Sequence, residues 1–317
     1  MHSSNMSEPL RLGVAGVGAI GKNHARILAG LEGVKLAAIY DTDLARARDL
    51  AATYNTVAVS SLEEFTAAID AATVAVPTVF HREIAGALLQ HGKHVLVEKP
   101  ISDKLSEAQE LVALAAAKNL VLQVGHIERF NPVMRQLEER MNHPRFIEAT
   151  RLSPFPNRSM DVGVVLDVMI HDLEIILHLV RSPVVHVDAM GVAVLTRRED
   201  IANARIRFAN GCVANVTASR VSQEKTRKIR VFQSEAYLSL DYQEQTGHIF
   251  RREGLQLVKE EVQVEKDEPL KLELAAFCEC ARRGAVPVVS GQQGTDALHL
   301  AIQITEAIER NNSETQQ

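Results

Sequence analysis

Apolar residues follow two rhythms along the chain. Up to about residue 125 they form short, nearly continuous runs: Leu10–Ala15, Val34–Tyr40, Thr56–Val59, Thr73–Val76, His94–Val97 and Leu120–Val124. Runs rich in Val and Ile that do not alternate with polar residues predict strands buried on both faces, as in a parallel sheet covered by helices. Helical patterns separate them. Ile20, Ile27, Leu28 and Leu31 share one face, and Ser61 with Glu64 has capping-box spacing before Phe65. Ser102 precedes a long Ala-, Leu- and Glu-rich helix ending near Lys118.

From about Arg129 the rhythm changes. Val162–Val180 is apolar on almost every side, which predicts a deeply buried helix. Ala204, Ile206 and Phe208 then alternate with Arg205 and Arg207, followed by Asn210-Gly211 and a second alternating run to Arg220. Asn-Gly between two such runs predicts a hairpin. Arg227–Phe232, Ala236–Tyr242, His248–Arg252 and Leu255–Val264 extend the series, and helices are expected at Leu270–Arg283 and Gly291–Asn311. The fold class expected is α/β, with an N-terminal doubly wound parallel (Rossmann) sheet over residues 1–127. An α+β C-terminal domain with an open, mostly antiparallel sheet follows over 128–290. A bare sheet face rarely stays in water, so self-association through it is expected.

The 317 residues suit two domains, and a hydrophobic share of 46% excludes wholesale disorder. Lys and Arg number 35 against 40 Asp and Glu, a net charge of −5, which argues against non-specific nucleic-acid binding. No apolar run approaches the ~20 residues that span a bilayer, and Met1–Leu10 lacks the apolar core of a secretion signal. With only Cys212, Cys278 and Cys280, a disulfide framework is not expected and a cytoplasmic location fits.

Gly16-Val17-Gly18-Ala19-Ile20-Gly21 has the spacing G-x-G-x-x-G between a predicted strand and a predicted helix. In that context the first glycine permits a tight turn, the second lets backbone approach a pyrophosphate, and the third allows close packing. The helix N-terminus offers unpaired N–H groups to the anion. Asp41 lies twenty residues beyond Gly21 at the end of the next strand, where an acid binds the ribose hydroxyls. A carboxylate there repels a 2′-phosphate and favours NAD over NADP, although Arg46 and Arg48 follow closely. The alternative is that Asp41 and Asp43 merely cap the next helix.

Lys99 follows the fifth predicted strand in Glu98-Lys99-Pro100. Ligands of open parallel sheets lie at the carboxyl ends of strands, which would bring Lys99 to the nicotinamide; a surface lysine is the alternative. Asp167 and His171, spaced i, i+4, share a face of the buried helix, and Glu174 and His178 continue it. Oxidation of an alcohol needs a base for the hydroxyl proton, and a carboxylate one turn from an imidazole can orient it. Competing readings are a structural histidine, which suits His178 better, and zinc held by Asp167, His171 and Glu174 without a dedicated ligand cluster. No metal is expected.

Taken together these residues resemble the glucose–fructose oxidoreductase, inositol dehydrogenase and rhizopine-catabolism (Gfo/Idh/MocA) family over essentially the whole chain. The likeness is carried by Gly16–Gly21, Val76-Pro77-Thr78 with His81, Gly92-Lys93-His94 leading into Glu98-Lys99-Pro100, Gly125 with Arg129-Phe130-Asn131-Pro132, and Asp167 with His171-Asp172. The tail from Ser290-Gly291 through Gly294 to Ala297-Leu298 resembles the family's last helix, which implies that 291–311 packs back on the nucleotide domain. The resemblance implies that Lys99, His171 and Asp167 act at the substrate carbon, and that Val76, Pro77, Thr78, His81 and Glu98 line the nicotinamide half of the cofactor. Val168-Met169-Ile170 departs from the glycine many members carry between Asp and His, which bears on pocket width.

A narrower likeness is to the subgroup that oxidises the 3-hydroxyl of UDP-N-acetylglucosamine, a step linked to lipid A biosynthesis. It rests on Gly125–Pro132, 155–159, Val162–Leu173, 200–203 and Gly211–Ser222. It implies a nucleotide-sugar substrate and cations for its diphosphate, with Arg158 and Arg220 the candidates beside Lys225, Arg227 and Lys228; a solvated sheet face is the alternative for these cations. The family resemblance implies a homodimer or homotetramer. A free-sugar or inositol dehydrogenase, a reductase of another substrate class and a non-catalytic NAD(H) sensor stay open.

Overall fold

The computed structural model describes residues 8–141, 143–155 and 162–314. They form two compact units, one running to His126 and including Leu270–Thr295, the other Ile127–Pro269 with the chain from Asp296 on.

The first unit alternates β1 (Leu10–Ala15), α1 (Gly21–Leu28), β2 (Val34–Tyr40), α2 (Leu44–Thr53), β3 (Val57–Val59), α3 (Leu62–Ala68), β4 (Ala71–Val74), α4 (His81–Gln90), β5 (His94–Glu98), α5 (Leu105–Ala117) and β6 (Leu122–Gly125). The sheet order is β3-β2-β1-β4-β5-β6 and every pairing is parallel. Strand order reverses between β1 and β4, which creates the crevice where such sheets bind ligands. Three local expectations shift. β4 ends at Val74 rather than Val76, so Val76 belongs to the loop beyond it. Ile20 is 41% exposed because α1 begins one residue later. Ser61 caps α3 by accepting the N–H of Glu64 at 3.1 Å, but the Glu64 carboxylate turns to Ser60 instead of completing the box.

The second unit contains α6 (Pro132–Arg140), β7 (Phe146–Leu152), a π-helical turn (Val165–Met169), α7 (Ile170–Val180), β8 (Val184–Val192), β9 (Ile201–Phe208), β10 (Val213–Ser219), β11 (Thr226–Gln233), β12 (Ala236–Asp241), β13 (Thr246–Glu253) and β14 (Gln256–Glu261). The final helices are α8 (Pro269–Arg283) and α9 (Gly291–Glu314). The eight strands order as β14-β13-β12-β11-β7-β10-β9-β8, antiparallel except where β7 runs parallel to β10. The hairpin at Asn210-Gly211 joins β9 to β10, with Gly211 at φ +85°. Its strands alternate between inward Ala204, Ile206, Ala214 and Val216 and outward Asn203, Arg205, Asn215 and Thr217. Side-chain alternation thus seals one face and leaves the other polar.

The last helix corrects an expectation. Only its first turn belongs to the first unit; Ala297, Leu300, Ala301, Ile304 and Ile308 enter the core of the second. The helix that packs back on the nucleotide-binding sheet is α8, whose Leu274, Phe277, Cys278 and Ala281 join Leu12, Val14, Leu28 and Leu96. Apolar residues at helical spacing on α8 complete the face that α1 leaves uncovered.

Candidate active site

The glycine loop bends because Gly16 sits at φ +85°, where a side chain would also meet the Ala75 carbonyl. A Cβ at Gly21 would strike the Gly16 carbonyl oxygen, so the third glycine closes the loop on itself as much as it packs helix on strand. At Gly18 a Cβ would meet no protein atom within 4 Å, so what its absence keeps clear is the approach to the backbone. Asp41, at the end of β2, accepts the N–H of Val17 at 2.7 Å and of Asp43 at 2.8 Å. Capping α2 falls to Asp43, which accepts the N–H of Arg46 and pairs with its guanidinium at 2.8 Å. Arg46 is therefore already engaged by a carboxylate. These residues fit a dinucleotide: a loop open to a pyrophosphate and an acid fixed beside it.

Val76, Pro77 and Thr78 follow β4 and lead through a 3₁₀ turn into α4. His81 is buried, with Nδ1 2.9 Å from the Pro100 carbonyl and Nε2 3.0 Å from that of Val76. Burial pushes the ring below the usual histidine range although both carbonyls favour the charged form. His81 thus staples the loop after β4 to the loop after β5, and the expectation that its ring lines the cofactor is corrected to this supporting role. Glu98 and Lys99 stand half-buried at the carboxyl end of β5. The Glu98 carboxylate lies over Gly125, where a Cβ would come within 3.0 Å of it, and 3.1 Å from Nε2 of His24 on α1. The signal for His24 in the sequence is weak: a position one turn beyond Gly21 on the inner face of α1.

In the second unit the expected continuous helix instead opens with the π-helical turn, closed by Ile170 N–H to the Val165 carbonyl. Asp167 lies in that turn and His171 in the first turn of α7, both half-buried. Met169 and Ile170 are fully buried and Val168 packs on the same core, so these bulky residues fill the interior. Behind His171, Arg151 grips Asp172 through two bonds of 2.8 and 2.9 Å and reaches Glu128 at 2.8 Å. Burial opposes the charge on Glu128, but Arg151 and Arg227 outweigh it and hold the acid below its ordinary range. Arg129 bonds Glu174 at 2.7 Å, and Glu138 lies 2.8 Å from His178. Glu174 and His178 therefore belong to a structural lattice. Little in the residue order signals it, because its members come from β7, α6, α7 and the turn before α6.

Arg220 corrects a third expectation. It is fully buried, bonded to Asp200 Oδ1 at 2.9 Å, to the Val162 carbonyl at 2.7 Å and to Thr196 Oγ1 at 3.0 Å. Asp200 in turn accepts the N–H groups of Val194, Leu195 and Thr196. A guanidinium so enclosed organises a loop and does not meet a diphosphate. Arg158 lies outside the described residues.

A six-stranded parallel sheet with a glycine loop open at Gly18 and an acid fixed beside it at the end of β2 defines a dinucleotide-binding protein. Residues 10–126 match the oxidoreductase family with an NAD-binding Rossmann fold, and 134–239 match the GFO/IDH/MocA C-terminal domain. The chain belongs to the GFO/IDH/MocA oxidoreductase family, with NAD as cofactor. It is 36% identical over 307 residues to the UDP-N-acetylglucosamine 3-dehydrogenase of Acidithiobacillus ferrooxidans, covering 95% of this chain and 97% of that one. A solved structure of that enzyme superposes with a TM-score of 0.91, covering 95% of this chain and 98% of that chain. The myo-inositol 2-dehydrogenase of Thermotoga maritima is 26% identical, covering 96% of this chain and 98% of that one. Levoglucosan dehydrogenase with NADH and levoglucosan shares the fold, with TM-score 0.86 at 19% identity and coverage of 95% and 98%. Among the described residues no helix is long and apolar enough to cross a membrane.

Proposed function

We propose that this chain oxidises the 3-hydroxyl of UDP-N-acetylglucosamine with NAD⁺, a cytoplasmic step serving lipid A biosynthesis. The observation that carries this reading is the 36% identity to a dehydrogenase of that name, sustained over 95% of the chain. Bound NAD⁺ supplies the hydride acceptor for the carbinol C–H. His171 takes the hydroxyl proton, and Asp167 orients the imidazole and favours its cationic form. Lys99 offsets the negative charge that develops on the carbinol oxygen, a contribution of the kind often worth ~3 kcal/mol. In the alternative assignment Lys99 is the base and His171 the group beside the carbinol oxygen. Val76, Pro77, Thr78 and Glu98 are assigned to the nicotinamide half of the cofactor, and Gly16, Gly18, Ala19, Ile20 and Gly21 with Asp41 to the adenosine and pyrophosphate half. Arg158 is assigned to the substrate diphosphate.

The outer sheet face supports self-association as a homodimer or homotetramer. It carries a stacked aromatic row, Phe232–Tyr237 at 4.8 Å and Tyr237–Phe250 at 4.4 Å, and exposed Met190 and Val192 on edge strand β8. Such a row is expected to be covered in solution. The decisive assay follows NADH formation from UDP-N-acetylglucosamine, UDP-glucose, glucose and inositols. Turnover confined to the free sugars or inositols rejects the nucleotide-sugar reading in favour of an inositol-type dehydrogenase.

A further inference from the structure

A group of buried polar atoms lies beneath the cofactor end of the first sheet. The parallel register aligns Val14, Thr73, Leu96 and Gln123 in one row across β1, β4, β5 and β6. Two residues further along, Glu98 pairs with Gly125 on the same face. α8 lies over this face, since Gln123 Nε2 donates to the backbone carbonyl of Glu273 at 3.4 Å. Glu273 is fully buried, and among the described residues neither of its carboxyl oxygens has a hydrogen-bond partner; nor do Thr73 Oγ1, Gln123 Oε1 and His24 Nδ1.

A carboxylate left this way is costly, whereas a neutral acid can donate its proton to an acceptor such as the amide oxygen of Gln123 or an ordered water. The charge that acts on the Glu273 carboxyl is that of another acid, Glu98. Glu98 on β5 repels its anion, His24 on α1 is engaged with Glu98 at 3.1 Å, and His126 is buried just past β6. On α8 itself Lys271 and Arg282 point outward. Burial first, and Glu98 second, push the Glu273 carboxyl well above its ordinary range.

We propose that Glu273 stores a proton for the cofactor site and that binding of NAD⁺, with its cationic nicotinamide, expels it to solvent, while binding of NADH, with its uncharged dihydronicotinamide, does not. The inference rests on the assignment of Glu98 to the nicotinamide half of the site, and it names Glu273 as a positioning residue acting through that group. A positive ring near Glu98 lowers the cost of a second negative charge, so the oxidised cofactor selects the form with Glu273 ionised. The sign follows from linkage: NAD⁺ binds more tightly as pH rises, with a slope that approaches tenfold per pH unit for one proton, and NADH affinity is flat over the same range.

The test is calorimetric titration of the full-length protein with NAD⁺ and with NADH in buffers of different ionisation enthalpy. The expected result is proton release with NAD⁺ only, lost in Glu273→Gln while both cofactors still bind. Equal proton counts for the two cofactors, or undiminished release in Glu273→Gln, overturn the inference and leave the dehydrogenase reading standing. Failure to bind either cofactor overturns both. If Glu273→Gln does not fold, infrared difference spectra of the wild-type protein decide: a protonated-carboxyl C=O band lost on adding NAD⁺ and kept with NADH supports the inference, and its persistence with NAD⁺ ends it.

Discussion

Asp41 Oδ2 accepts the backbone N–H of Val17 at 2.7 Å, tying the end of β2 to the glycine loop. The acid assigned to the ribose is thus held by the same backbone that shapes the phosphate site. Asp41→Ala removes both the ribose acceptor and this brace. Its Kd for NAD is expected to rise about tenfold to a hundredfold, the range of a charge-assisted hydrogen bond, with NADP affected less. Fluorescence titration with both cofactors measures it; an unchanged preference for NAD would return Asp41 to a purely local role.

Lys99→Ala and His171→Ala are each expected to lower turnover ~100-fold or more while cofactor affinity survives. Steady-state assays paired with NADH titration separate chemistry from binding. Near wild-type turnover in either variant removes that residue from the mechanism.

Arg220 and Asp200 form a pair with both side chains fully buried. Removing one partner strands the other, so Arg220→Ala is expected to cost about 3–5 kcal/mol of unfolding free energy. The affinity of the folded protein for UDP should not change. Urea unfolding and a UDP titration read the two effects apart, and the opposite pattern would reinstate a substrate role for Arg220.

Glu174 gives stability a pH dependence of definite sign. Burial raises its carboxyl from the ordinary 4.5 to about 7, with Arg129 holding the shift back. The folded state therefore keeps a proton that the unfolded chain releases, and this contribution weakens stability as pH rises from about 4.5 to about 7. Asp200 acts oppositely. Burial opposes its charge, but the N–H groups of Thr196, Leu195 and Val194 together with Arg220 hold it well below its ordinary range, so its contribution is lost in acid. Unfolding free energies across this range should show a slope that Glu174→Gln flattens; an unaltered slope assigns it elsewhere.

Much of this protein was legible in its residue order. Apolar runs such as Leu10–Ala15 and Val34–Tyr40 became strands at those bounds, because a sheet covered on both faces buries residues such as Leu12, Val14, Leu36 and Ile39 in sequence and leaves a charged position only near the strand start, at Arg11 and Lys35. The turn at the glycine loop could be read because its geometry depends on Gly16 and Gly21, which lie close in sequence. β7 escaped notice although it alternates inward Ile147, Ala149 and Arg151 with outward Glu148 and Thr150. An inward arginine breaks the apolar rhythm until Asp172 and Glu128 are seen to neutralise it.

Local order therefore determined the strand rhythm, the cofactor loop and the hairpin. Tertiary structure decided which charges are buried and against what. Arg220 reads as a free cation in a polar stretch, and Glu273 as one more acid on an amphipathic helix. Folding encloses the first with Asp200, twenty residues away, and sets the second beneath Glu98 from a distant strand. The energy of a charge depends on the medium and the partners around it, and neither exists until the chain has closed over them.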